Sequence, residues 1–400
     1  MPECGENSNF VPVKLRFVTL GLIAMSSLVA AQPSPATSRA EFKRVAAPQP
    51  GGVAAAVRVP DAPLLFTGAI YPKTFTDDAA TQVGSAAESL RAALAAAGSD
   101  LSRVARLTAY VADASATGAV TAWVAQQCAE APVAFTLVRT PLEVAGAEVA
   151  FEAVAAVPTA QATGVMVREN SAILPAGGKI FISGQAEKGT DVSSAVRLTM
   201  AGLHRSLAHV GLKKSDVVQV KAFIRPFADH AAARREVAAS FDGGPVPPVV
   251  LIEWQSDLFA EIELVASAPG MTAKAGETVA HSWLPWLTAS PRYCNIAHVP
   301  AGVPLIFVGG IDGGNGDDRS QMKTIFERLG SVLFESGSSY RHLAKATYYL
   351  GGAPTRALLG DIRGVYFDPT RPPAASALQV AALGQAGRKA EIEMIAVPVK

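Results

Sequence analysis

Charged side chains are scarce in this 400-residue sequence, and neither sign of charge predominates. Aspartate, glutamate, lysine and arginine make up 17% of the residues, and the formal net charge is +1. Binding to nucleic acid requires a concentration of positive charge, and the sequence contains no basic run. Nucleic acid is therefore not an expected partner.

Histidine and cysteine are also rare, which limits the possible cofactor chemistry. The six histidines show neither HxxxH nor HExxH spacing and no CxxC pair occurs, so no metal site is predicted. The glycine-rich stretch 309–318 lacks the lysine of a phosphate-binding loop and the spacing of a dinucleotide fingerprint, so no cofactor is expected. Cys128 and Cys294 are far apart in sequence, and either a disulfide or two buried thiols is compatible with the pattern.

A single apolar run, over residues 17–31, follows two positive charges at Lys14 and Arg16. This pattern is typical of a secretory signal peptide cleaved after Ala31. The run is short for a spanning helix, so no stable membrane insertion is expected after cleavage; an uncleaved anchor or a buried first strand is the alternative. We expect residues 1–31 to be a signal peptide, 32–50 a linker, and the mature chain to be secreted or periplasmic.

The rest of the chain is half hydrophobic and repeats its own pattern. Three apolar strands end in glycine: "PLLFTGAI" with Gly68, "KIFISGQA" with Gly184 and "PLIFVGGI" with Gly310. An amphipathic pattern with a helical period of 3.6 residues follows each strand. The three helices are predicted to begin at Asp78, Asp191 and Asp317 and to end at Gly98, Gly211 and Gly337, because acidic caps and C-terminal glycines suit helix ends.

Each unit continues with a strand, a second helix, a proline-containing phrase that leads into a strand, and a closing strand. The phrases are "APVAFTLV" at 131–138, "VPPVVLIEW" at 246–254 and "RPPAASALQV" at 371–380. The order β, α, β, α, β, β predicts an α+β fold in three domain-sized repeats. Their bounds are 51–157 (repeat 1), 165–267 (repeat 2) and 281–400 (repeat 3).

In combination these landmarks resemble the RidA (YjgF-like) family. The resemblance rests on the strand "KIFISGQA", the strand "VVQVKAFI", the phrase "RPPAASALQV" and the closing strand "AEIEMIAV". Members of this family are usually single-domain homotrimers with a barrel-like sheet core, outer helices and ligand pockets between subunits. The resemblance therefore implies three chorismate-mutase-like repeats that form a monomeric, intramolecular pseudo-trimer and bind a small molecule between repeats.

The resemblance also suggests which site residues to examine. The family's deaminases have an arginine in the proline phrase that binds the substrate carboxylate, and the aligned residues here are Ala134, Val249 and Ala375. A pocket glutamate of the closing strand is matched by Glu261 and Glu391, the candidate catalytic acid/base groups, whereas repeat 1 has Ala150. The candidate ligand-binding residues are Thr67, Ser183, Tyr293, Arg371 and Ser376.

Each of these residues also has a purely structural interpretation. Glu261 and Glu391 alternate with Glu263 and Glu393 and are otherwise expected to be solvated or salt-bridged, and the hydroxyl groups could serve only as turn contacts. A standard 2-aminoacrylate or imine deaminase is not expected without the arginine. Residual deaminase (hydrolase) activity in one cleft and a non-catalytic binding or scaffold protein both remain open, and the enzyme class is left undecided.

Overall fold

The structure is a computed structural model, and it describes residues 42–47, 51–75, 78–157, 162–272 and 274–400. The predicted signal peptide and most of the linker lie outside the described residues. Three successive segments have nearly the same order of helices and strands, and each is described in turn.

Repeat 1 and the short strand before it contain six strands and two helices. They are β1 (Lys43–Ala46), β2 (Val53–Val59), β3 (Leu64–Thr67), α1 (Ala79–Ala96), β4 (Val104–Val111), α2 (Ser115–Gln127), β5 (Val133–Arg139) and β6 (Val149–Ala156).

Repeat 2 has the same order of six strands and two helices, and it also starts with a short strand. Its elements are β7 (Met166–Arg168), β8 (Ser171–Leu174), β9 (Lys179–Gln185), α3 (Val192–His209), β10 (Val217–Ile224), α4 (His230–Ala239), β11 (Val249–Glu253) and β12 (Ala260–Ser267).

Repeat 3 follows the same plan, with one additional two-residue strand, β18, directly after β17. Its elements are β13 (Ala280–Ser282), β14 (Ile296–Val299), β15 (Leu305–Asp312), α5 (Asp318–Glu335), β16 (Leu343–Leu350), α6 (Ala353–Tyr366), β17 (Ala374–Gln379), β18 (Ala382–Leu383) and β19 (Ala390–Ala396). The predicted α+β class is confirmed.

The long helix of each repeat begins and ends at the predicted residues. Asp78, Asp191 and Asp317 each cap the first turn by accepting backbone N–H groups of residues two or three positions later. The closing glycines have positive φ angles of 78°, 77° and 74° at Gly98, Gly211 and Gly337, a conformation that glycine adopts without steric cost.

In each repeat, the second strand along the chain pairs with the third strand of another repeat. β2 pairs antiparallel with β15, β8 with β3, and β14 with β9. The strands consequently join into a 13-stranded and a six-stranded sheet that do not follow the repeat boundaries. Sequence boundaries between repeats are therefore not boundaries between sheets, and the repeats are interlocked by backbone hydrogen bonds.

Helices of each repeat pack on the outer face of its own strands and form three separate apolar cores. On the inner faces, equivalent residues of the three repeats meet in two further apolar layers. The first contains Phe66, Phe181, Phe307, Val154, Val265 and Ile395. The second contains Tyr110, Phe223, Tyr349, Val138, Ile252 and Leu378.

Candidate functional site

A layer of charged side chains separates the two inner apolar layers. Along β4, Ala105 belongs to the first layer and Tyr110 to the second, and Arg106 and Thr108 lie between them. Each repeat contributes one carboxylate and one cation to the charged layer, which consists of Arg106, Glu152, Lys221, Glu263, Lys345 and Glu393. Its formal charges cancel.

The charged layer joins the repeats in a closed cycle. Lys221 Nζ of repeat 2 lies 3.0 Å from Glu152 Oε2 of repeat 1. Lys345 Nζ of repeat 3 lies 2.7 Å from Glu263 Oε1 of repeat 2. Arg106 Nη1 of repeat 1 completes the cycle at 3.8 Å from Glu393 Oε1 of repeat 3, and its Nη2 donates to Glu152 at 2.8 Å.

Burial by itself would raise the pKa of Glu152, but the cations of Lys221 and Arg106 outweigh it and lower that pKa to about 2. The same two cations hold the pKa of Glu393 below its usual value against burial. These carboxylates are charged and less than 3% exposed. We therefore assign the charged layer a structural role, in which ion pairs between repeats determine their relative position.

Glu261 and Glu391 lie two residues before Glu263 and Glu393, so each points to the same side of its strand but nearer the cleft between repeats. Both are partly exposed. Glycine makes room for each carboxyl group, because a Cβ at Gly184 would lie 2.1 Å from Glu261 Oε1 and one at Gly310 would lie 2.0 Å from Glu391 Oε1. The strand-ending glycine and the glutamate are therefore one structural unit.

The 2–3 cleft, between β9 and β12 of repeat 2 and β17 of repeat 3, brings three predicted residues together. Ser376 Oγ donates to Glu263 Oε2 at 2.7 Å, and both Ser376 Oγ and Glu261 Oε1 lie beside Gly184. Burial, and then the charge of Glu263, raises the pKa of Glu261 to about 7. Ser183 precedes Gly184, and its hydroxyl is buried without a hydrogen-bond partner in the described chain.

Arg356, on α6, is the cation of the 2–3 cleft that the sequence reasoning missed. Its Nη1 donates to the carbonyl of Ala377 at 3.0 Å, and its charge acts to lower the pKa of Glu261. Arg371, which was the predicted substitute for the missing arginine, instead donates to the carbonyls of Arg341 and Val279, both at 3.1 Å. It approaches the start of β17 and takes no part in the contacts of Glu261.

The 1–3 cleft, between β5 of repeat 1 and β15 and β19 of repeat 3, contains a cavity of about 540 Å³. Glu391 lines this cavity, and its Oε1 accepts the Leu137 backbone N–H at 3.3 Å. Burial raises the pKa of Glu391 to about 8, and the nearby charge of Asp312 adds to the effect. At neutral pH this carboxyl group is mostly protonated and can donate or accept a proton.

The 1–2 cleft, between β11 of repeat 2 and β3 and β6 of repeat 1, is filled by the protein itself. Ala150 packs in one apolar cluster with Val250 and Trp254. Arg234 donates from Nε and Nη2 to the Glu143 carboxylate at 2.9 and 2.8 Å. Asn170 packs against Gly68, where a Cβ would lie 2.1 Å from the Asn170 Oδ1.

Thr67 has a structural role beside this filled cleft. It is fully buried, its Oγ1 donates to the carbonyl of Gly68, and it accepts the N–H of Ala153, both at 2.9 Å. Tyr293 packs against the outer core of repeat 3 and does not line the 540 Å³ cavity. Cys128 and Cys294 are buried free thiols.

The strand registers correct one alignment. Leu107, Val220 and Ala346 are equivalent on β4, β10 and β16, and they pair with Phe135, Val249 and Ala375. Phe135, and not Ala134, is therefore the repeat 1 equivalent of Val249 and Ala375. The one-residue difference between Ala134 and Phe135 has a simple cause. Repeat 1 has a single proline, Pro132, which corresponds to the first proline of the repeat 3 pair and not to the second.

The described residues contain no cluster of histidine, cysteine or carboxylate side chains able to hold a metal ion. Among the helices in the described part of the chain, none combines the length and hydropathy needed to cross a bilayer.

Comparison with known proteins gives matches to a family model, to curated relatives and to solved structures, each over part of the chain. The family model described as Endoribonuclease L-PSP matches residues 305–398. Protein DfrA of Myxococcus xanthus is 37% identical over 82 residues, which are 20% of this chain and 61% of that protein. A RutC family protein of Synechocystis is 36% identical over 70 residues, which are 18% of this chain and 54% of that protein. The chain thus spans little more than half the length of these relatives.

Solved structures of similar proteins cover about a third of the chain or less. A member of the YjgF protein family from Neisseria meningitidis is 22% identical and covers 30% of this chain and 94% of its own, with a TM-score of 0.23. A member of the YjgF/YER057c/UK114 family from Mycobacterium tuberculosis is 23% identical and covers 24% and 85%, with a TM-score of 0.22.

Proposed function

We propose that this chain, whose residues 305–398 match the Endoribonuclease L-PSP family model, is a member of the RidA (YjgF-like) family and binds and transforms a small molecule in the 1–3 cleft. The observation that carries the proposal is the 540 Å³ cavity with the Glu391 carboxyl group in its wall. Its volume lies within the range of about 300–1,000 Å³ that is usual for small-molecule pockets. A carboxyl group with a pKa of about 8 is suited to proton transfer near neutral pH.

The reaction that fits this group is hydrolysis of a carbon–nitrogen double bond. Protonated Glu391 donates its proton to the imine nitrogen, and the resulting carboxylate accepts a proton from the attacking water. The hydroxide adds to the carbon and gives a carbinolamine. Glu391, protonated again, then gives its proton to the amine nitrogen and takes the hydroxyl proton as the C–N bond breaks, so imine and water become carbonyl compound and ammonia. Leu137 holds the Glu391 oxygen by its N–H, which fixes the direction of the carboxyl group.

A standard deaminase of 2-imino acids is not the proposal, because no arginine occupies the equivalent positions Phe135, Val249 and Ala375. A planar guanidinium that binds a carboxylate bidentately contributes about 1.5–3 kcal/mol through charged hydrogen bonds. Without it the substrate carboxylate loses its main attachment. We also propose that the protein is exported, which N-terminal sequencing of the mature chain would test.

The second candidate is a binding protein without catalysis, and the self-filled 1–2 cleft supports it. Arg234 and Glu143 satisfy each other there, so at least one cleft carries only a packing role. Both candidate functions use the 1–3 cleft. Glu391 transfers protons in the enzyme, whereas it has no catalytic role in the binding protein.

The test supplies imines to the purified mature chain in two forms and follows carbonyl release. An amino-acid oxidase generates 2-imino acids, and an amine oxidase generates imines without a carboxylate. We expect turnover that Glu391→Gln lowers at least tenfold, whereas Glu327→Gln, at an exposed residue of α5 outside the cavity lining, leaves it unchanged. Ligand binding without turnover in every variant would establish the binding protein instead.

A further inference from the structure

Two walls of the 1–3 cavity are apolar, in contrast to the acidic group of Glu391 that the proposed reaction uses. Beside Glu391, the inner wall is formed by Phe135, Leu137 and the backbone of Gly309 and Gly310. Another wall comes from the N-terminal hairpin, where Val53, Ala54 and Ala55 line the cavity. Both surfaces are apolar, so most of a bound molecule would contact hydrocarbon.

Both arginines of the cavity are ion-paired with the same carboxylate, that of Asp312. Arg388 has Nε 3.0 Å from Asp312 Oδ1, Nη1 donating to Asn315 at 3.1 Å and Nη2 donating to Gln385 at 3.1 Å. Arg328 donates from Nη1 to the Asp312 carbonyl at 2.8 Å and lies 3.7 Å from its carboxylate. A ligand anion would therefore compete with Asp312 for the charge of these arginines.

The remaining charges are balanced as well. Asp312 and Glu335 oppose the two arginines in the lining, so the cavity offers no excess of either sign. A charged group moved from water into such a site loses its hydration without gaining a free counter-charge. An uncharged group loses much less.

From this we propose that the 1–3 cleft selects an uncharged, mainly apolar molecule that presents one hydrogen-bond acceptor to Glu391, such as a ketimine, amide or ketone on an aromatic or aliphatic skeleton. This inference rests on the proposed function and names its ligand class. The N-terminal hairpin, as one cavity wall, and Phe135, as the other, would determine the size and polarity of the ligand.

The test uses three probes with one skeleton: 3-phenylpropanamide, 3-phenylpropanoate and 3-phenylpropylamine. Binding to the mature chain is measured by saturation-transfer NMR and calorimetry at pH 7. We expect the amide to bind at least tenfold more tightly than either charged probe. Thr121→Trp, which narrows the cavity, should weaken amide binding at least tenfold, whereas Ala122→Trp on the exposed side of the same helix should not.

A further variant, Phe135→Arg, introduces an unpaired cation into the wall and should reverse the preference, so that the carboxylate probe binds more tightly than the amide. If the charged probes bind wild type as tightly as the amide and Thr121→Trp weakens them, the ligand class is wrong although the cleft is a binding site. If no probe binds wild type but Phe135→Arg binds the carboxylate, the cavity is intact and the inference is again overturned. If no variant binds any probe, the inference and the proposed binding cleft both fail.

Discussion

Replacement of Glu391 by glutamine should make the protein more stable, and the gain should appear only as the pH rises. The folded carboxyl group has a pKa of about 8 against an ordinary value of 4.5, so the folded state holds this proton more tightly than the unfolded state. The stabilisation of the folded state by this tighter proton binding is fully present below pH 4.5. It is lost as the pH rises through about 8, because the unfolded chain releases the proton first.

The size of the stability gain follows from the difference between the folded and the unfolded pKa of Glu391. Each pH unit between the two pKa values corresponds to about 1.4 kcal/mol, so the interval from 4.5 to about 8 gives a ceiling of about 5 kcal/mol. Glu391 is partly exposed, and solvent reduces such terms. We expect the glutamine variant to gain roughly 2 kcal/mol over wild type at pH 9 and almost nothing at pH 4.5.

Urea unfolding followed by circular dichroism at pH 4.5, 6, 7.5 and 9 measures this difference directly. Glu335→Gln is the matched control, since Glu335 lines the same cavity but is exposed. A stability difference for Glu391→Gln that is the same at every pH would refute the reasoning. So would an equal pH-dependent gain in Glu335→Gln.

Four other substitutions test separate parts of the structure. Lys221→Met leaves Glu152 and Glu393 short of a cation and should cost about 3–5 kcal/mol in urea unfolding, whereas an exposed lysine-to-methionine change should cost under about 0.5 kcal/mol. Gly310→Ala places a Cβ 2.0 Å from Glu391 Oε1 and should displace this carboxyl group, which would abolish the pH-dependent stability described above. An unchanged pKa of Glu391 in this variant would contradict the prediction. Asp191→Ala removes the α3 cap and should cost about 1 kcal/mol, most of which Asp191→Asn restores. Arg356→Ala removes a cation that lowers the pKa of Glu261, so an NMR titration should find that pKa above 7.

Much of the fold could be predicted from the sequence because its signals are local. Acidic caps and closing glycines mark both ends of the long helices, and a helical period of apolar residues lies between them. Glu261, Glu391 and Ser376 were instead suggested by the resemblance to the RidA family, because they lie in the motifs that carry it. The charged layer also left a signal, as Arg106, Lys221 and Lys345 interrupt strands that are otherwise apolar, but its significance was missed.

What the sequence could not determine is how strands from different repeats lie beside one another. A register differing by one residue put Phe135 in place of Ala134 in the wall of the cavity, and only backbone pairing reveals such a shift. The choice among the three clefts likewise depends on side chains distant in sequence. Glu143 and Arg234, 91 residues apart, close one cleft, while Leu137 and Glu391, 254 apart, meet in the cleft that contains the 540 Å³ cavity. Local patterns determine which elements form; only the tertiary structure determines which of their surfaces meet, because burial and charge pairing depend on neighbours that the local sequence does not specify.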